Sequence, residues 1–185
     1  MSKLFTRKKS KKSFTKSFTK SFTNKSLRST IKDYFTPEKR TEIETIYGKI
    51  GDWNVANVSD MSGLFEYQKD FNECLDNWDV SKVKKMNGMF QFCKKFNQPL
   101  NSWNVSKVLD FESMFRGAKS FNQPLTDWNV SKALDFESMF QGAKSFNQPL
   151  NDWKIRRNAV VRQFVDKKFK KRLPDGFKLG ITITF

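Results

Sequence analysis

Apolar residues recur along the chain with a step of 25. Trp53, Trp78, Trp103, Trp128 and Trp153 mark the step, and Val55, Val80, Val105, Val130 and Ile155 follow two residues later. Phe65, Phe90, Phe115 and Phe140 form a further column, and Phe71, Phe96, Phe121 and Phe146 another. Leu75, Leu100, Leu125 and Leu150 each stand three residues before the next tryptophan. The units beginning at Leu100 and Leu125 share 21 of their 25 residues. A fixed period on this scale signals a repeat architecture, in which one unit buries its apolar face only against copies of itself.

Within one unit, Trp103 to Leu125, the alternation Trp-Asn-Val predicts a short strand. Ser106 stands where a helix N-cap belongs. Val108, Phe111, Met114, Phe115 and Ala118 then keep the i, i+3, i+4 spacing of one helical stripe. Gly117 and Gly142 fall where that helix would end, and Pro124 closes a return loop. The expected fold class is therefore α/β, a solenoid of about four strand–helix repeats whose columns become continuous ladders. Asn72, Asn97, Asn122 and Asn147 read as a polar ladder serving backbone groups of the return loop.

Such a stack must be closed at both ends. Thr36 as N-cap, Pro37 at the first helical position and Gly48 as a stop predict a capping helix over 37–47. Beyond Trp153 the pattern lapses. Val161, Phe164, Val165 and Phe169 predict one stripe of an amphipathic helix, ringed by Arg162, Lys167, Lys168, Lys170, Lys171 and Arg172. An alternating strand follows to the last residue. The organisation expected is a basic arm over 1–27, a capping region over 28–50, the repeats over 51–152 and a basic C-terminal cap over 153–185.

The motif, seen here as KSFNQPLTDWNVSKALDFESMFQGA, resembles the repeats of the BspA-like leucine-rich-repeat surface proteins, also catalogued as a mycoplasma-type domain of unknown function. The likeness runs from about Ile50 to Trp153. It implies a leucine-rich-repeat-like solenoid that binds or adheres and does not catalyse. No apolar stretch follows the basic start as it would in a secretory signal, and no wall or membrane anchor is evident. The expectation is an intracellular, virion-associated member of the kind found in protists and large DNA viruses.

Charge alters the picture only at the ends. The net charge is +16, yet residues 51–152 hold eleven basic and thirteen acidic side chains. Residues 1–32 hold eleven basic and no acidic ones, and residues 153–185 hold ten and two. The arm carries KSFT three times over. Lys12, Lys16 and Lys20 alternate with Phe14, Phe18 and Phe22, the pattern of a segment that orders on a partner, rings inward and lysines toward acidic groups.

Catalytic chemistry has little to work with. The chain contains no histidine, the commonest general base and metal ligand. Cys74 and Cys93 read as small packed residues with free thiols, and the pairs Asp110/Glu112 and Asp135/Glu137 as an exposed helix flank. No enzyme activity, cofactor, metal site or small-molecule substrate is expected. The expectation is a structural, protein-binding repeat protein, part of a virion or other large assembly and joined to capsid or assembly proteins by its basic ends. Asn54, Asp79, Asn104 and Asn129 are its candidate interaction surface. The alternative is binding of nucleic acid or an anionic membrane through the arm and the C-terminal helix.

Overall fold

The structure, a computed structural model, describes residues 21–165. It opens with two helices, α1 (Asn24–Tyr34) and α2 (Pro37–Tyr47). Thr23 and Ser26 exchange side-chain-to-backbone hydrogen bonds at the start of α1, which satisfies two orphan donors. Leu27, Ile31 and Tyr34 bury one face of α1. The second helix has the bounds that Pro37 and Gly48 predict, with Gly48 at φ 75° as its stop. A single 3₁₀ turn, Ile50–Asp52, leads into the repeats.

From Trp53 onward the described residues contain neither an α-helix nor a strand. This corrects the expected α/β strand–helix solenoid. Each 25-residue unit is instead a flat coil of turns, and we number the coils 1 to 5 from their tryptophans. The reason lies in the pitch. Phe65–Phe90, Phe90–Phe115 and Phe115–Phe140 stack at 5.5, 5.6 and 5.5 Å between ring centroids. Packed helices need about 8–10 Å between axes, so a stack this tight has no room for one helix per coil.

Turns imitate the helical spacing. In coil 1 the N–H groups of Leu64, Glu66 and Gln68 donate three residues back, to Met61, Gly63 and Phe65. The intervening N–H groups leave the coil altogether. Those of Met61, Gly63, Phe65 and Tyr67 donate to the carbonyls of Lys85, Asn87, Met89 and Gln91 in coil 2 at 2.8–3.0 Å. Coils 2 to 4 repeat the arrangement. The pairing expected of strands is reduced to one parallel bridge per coil, running through Asp60, Lys85, Asp110, Asp135 and Val160. The positions read as a helical stripe, Val108 to Ala118, are all buried nonetheless. Overlapping three-residue turns bring the same positions inward.

Two positions in each of coils 1 to 4 sit in the left-handed region. They are Gly63 and Tyr67, Gly88 and Phe92, Ser113 and Gly117, and Ser138 and Gly142. Each coil thus places glycine at one position and a residue with a side chain at the other. Gly117 and Gly142, read from sequence as helix stops, are turn glycines. A left-handed backbone costs a non-glycine residue about 1–2 kcal/mol, against about 0.5–1 kcal/mol of extra entropy lost by glycine. Ser138→Gly is therefore expected to raise the urea midpoint slightly, by up to about 1 kcal/mol in unfolding free energy, with the m-value unchanged.

Side chains lock the coils together. The indole Nε1–H groups of Trp78, Trp103, Trp128 and Trp153 each donate to the carbonyl 28 residues upstream, at Ile50, Leu75, Leu100 and Leu125, over 2.7–3.1 Å. The asparagine ladder behaves as its spacing implies. The N–H groups of Asn97, Asn122 and Asn147 donate to Oδ1 of Asn72, Asn97 and Asn122 at 2.8–2.9 Å. Gln98, Gln123 and Gln148 add their amides to the carbonyls of the same three asparagines. This is the work of the recurrent Phe-Asn-Gln.

Helix α1 closes the first coil by imitating a preceding one. Asn24 Oδ1 accepts the N–H groups of Ser59 and Asp60, and Arg28 donates to the Ser62 carbonyl at 2.8 Å. At the other end the coil geometry runs past residue 152. Val160 N–H donates to Leu134, and Phe164 accepts from Phe140. The amphipathic helix expected from about Asn158 is therefore replaced by turns in its described part, to Val165. Coil-to-coil hydrogen bonding selects turns over the local helical pattern.

Candidate functional site

Lys12, Phe14, Lys16, Phe18 and Lys20 lie outside the described residues, as do Lys167, Lys168, Lys170, Lys171 and Arg172. Arg162 is exposed on coil 5. Phe22, grouped with the arm by its four-residue spacing, belongs to the cap. It is 4% exposed, its ring lies 5.0 Å from Tyr47 and 5.2 Å from Trp53, and its N–H donates to Asn54.

Asn54, Asp79, Asn104 and Asn129 form an exposed column. Each uses Oδ1 to accept the N–H two residues on, at Ala56, Ser81, Ser106 and Ser131, over 3.0–3.3 Å. These are Asx turns. Ser106, expected as a helix N-cap, is the acceptor's partner in one of them. In Asp79 the Ser81 hydroxyl and N–H hold the carboxyl below its ordinary range.

The carboxylates of coils 3 and 4 do not lie on an exposed helix flank. Asp110 and Asp135 are directly paired across the bridge and partly buried. Burial raises the Asp110 carboxyl above its usual value, against the opposing Glu112 N–H, and the charge of Asp135 adds to the rise. Glu112 is raised by burial and then by Asp135, Asp110 and Glu137. A carboxyl raised in the folded state disfavours folding above that raised value, and the penalty is relieved as pH falls through it. Asp110→Asn keeps an Oδ1 acceptor for Glu112 and removes the charge. It is expected to unfold at higher urea than the parent at neutral pH. The gap should close on acidification, as read in urea titrations at several pH values.

Cys93 is buried and donates to the Phe65 carbonyl, and burial pushes its thiol up to about 12. Cys74 is exposed. No three His, Cys, Asp or Glu side chains among the described residues are grouped to hold a metal ion. No helix among them is long and apolar enough to cross a membrane.

Two surface features escaped the sequence reading. Tyr67 and Phe92 stack at 5.1 Å on the outer face, with Tyr67 58% exposed. Lys69, Lys94, Lys119 and Lys144 run beside them in register. The signal was present in the 25-residue step, where the column Tyr67, Phe92, Gly117, Gly142 changes from ring to glycine.

The model of a family described as Mycoplasma protein of unknown function, DUF285, matches residues 29–153. The chain belongs to this family. The matched span covers α1 from its middle, α2 and all four complete coils. No curated protein matches the chain, and no solved structure does.

Proposed function

We propose that this chain is a non-catalytic interaction protein, a component of a virion or other large intracellular assembly, anchored through its basic ends. The observation that supports this reading is the hydrogen bonding of each coil to the next around its turn. It holds outer columns such as Asn54, Asp79, Asn104 and Asn129 at fixed spacing, the property a docking surface needs. A second reading, binding of nucleic acid or anionic membrane through the ends, draws on the eleven basic and no acidic residues of 1–32.

The test removes residues 1–20, which spares Phe22 and the α1 cap. Under the first reading the truncated chain folds but no longer co-sediments with its native assembly, and cross-links from Lys12, Lys16 and Lys20 in the full chain reach assembly proteins. Under the second, the truncation removes salt-sensitive binding to DNA or anionic vesicles and leaves assembly intact. Unchanged behaviour in both assays refutes the role given to the arm.

A further inference from the structure

Tyr67 and Phe92 hold ring side chains on left-handed backbone where coils 3 and 4 carry Gly117 and Gly142. A ring as exposed as Tyr67 does not offset that strain by burial. Two residues on, Lys69, Lys94, Lys119 and Lys144 stand in one line. The backbone fixes their register, because Lys95, Ser120 and Ser145 donate to the carbonyls of Lys69, Lys94 and Lys119 at 3.0–3.1 Å. Between rings and lysines runs an inward column, with Cys93, Ala118 and Ala143 buried. At coil 1, Tyr67 and Lys69 line the same recess of about 400 Å³, beside Phe35, Phe71 and Arg40. Its two carboxylates are already engaged, Asp70 with Lys95 at 2.7 Å and Glu73 with Arg40 at 3.1 Å.

We propose that this face binds single-stranded nucleic acid, with phosphates along the lysine line and a base on the exposed ring of Tyr67, which Phe92 backs from coil 2. Like charges aligned in one column favour a polyanion. Neighbouring coils repeat at 5.8, 6.0 and 5.9 Å along the nearby Phe71, Phe96, Phe121, Phe146 column. A stacked strand carries one phosphate per about 3.4 Å of axis. One phosphate per coil therefore requires a strand stretched beyond base stacking, and its bares faces need a substitute. The exposed Tyr67 ring beside a basic track supplies one such substitute. An anionic membrane or an acidic peptide would use the lysines but gives no reason for the stacked pair. This assignment stands apart from the scaffold reading, since it places a ligand on the stack itself and not on the basic ends.

The experiment is fluorescence anisotropy of the full chain with labelled oligothymidylate across a salt series. Tyr67→Gly with Phe92→Gly introduces the residue that coils 3 and 4 already use, so the fold is retained. Affinity should fall about tenfold through lost stacking. Lys94→Gln with Lys119→Gln should reduce the slope of log affinity against log salt by about 0.7 for each phosphate contact removed. Urea midpoints of all variants separate loss of ligand from loss of fold. Variants that bind oligothymidylate as the parent does overturn the proposal and leave the basic ends as the source of binding. It is also overturned if the same variants lose binding to phosphatidylserine vesicles but not to oligothymidylate, or if the parent binds no oligothymidylate.

Discussion

Trp128→Ala is expected to lower the unfolding free energy by about 3–5 kcal/mol, the usual cost of removing a large buried aromatic. The side chain is 3% exposed and packs 5.6 Å from Phe111, 6.4 Å from Phe115 and 6.3 Å from Trp153, centroid to centroid. Its Nε1–H also satisfies the Leu100 carbonyl at 2.9 Å. Alanine leaves both a cavity and an unpaired buried acceptor. Trp128→Phe shifts the balance between the two terms, because it keeps an aromatic ring in the site while losing the donor and the smaller ring of the indole; the unpaired Leu100 acceptor costs about 1–3 kcal/mol. Urea denaturation followed by circular dichroism measures both. A Trp128→Phe variant as unstable as Trp128→Ala would mean that the indole hydrogen bond, and not packing, joins the coils.

Gly117→Ala is expected to cost about 3 kcal/mol from two separable sources. At φ 67° a Cβ meets the left-handed penalty of about 1–2 kcal/mol. That Cβ would also run into the Phe92 ring, which covers the glycine from coil 2. Overpacking of this kind costs about 1–3 kcal/mol. In a Phe92→Gly background the ring term should vanish and the backbone term persist. A double-mutant cycle in urea should therefore show coupling between the two positions. Purely additive effects would show that Phe92 does not sit on Gly117 in solution.

The same two columns show what local reading can and cannot reach. The period of 25, the buried tryptophan, valine and phenylalanine columns, the asparagine ladder and helix α2 were all legible from residue spacing. They depend on which positions face inward, and hydrophobicity reports that directly. Spacing does not separate a helix from the turns found in each repeat, because a series of three-residue turns and an α-helix bury the same i, i+3, i+4 positions. Ser106 and Gly117 do not separate them either, since an Asx turn and a left-handed turn use the residues that helix ends use. The four-residue spacing of Phe22 matches Phe14 and Phe18, and only the packed cap sets it apart from the arm.

Spacing along the chain was thus enough to establish that this protein is a stack of 25-residue units with a helical lid and basic ends, because burial periodicity is a property of the chain itself. The conformation of each unit was decided between coils. A pitch near 5.5 Å lets alternate N–H groups reach the next coil and leaves no space for a helix. That same pitch draws residues 25 apart into lines, so a repeat region of nearly balanced charge carries a lysine line on one face and paired carboxylates on another.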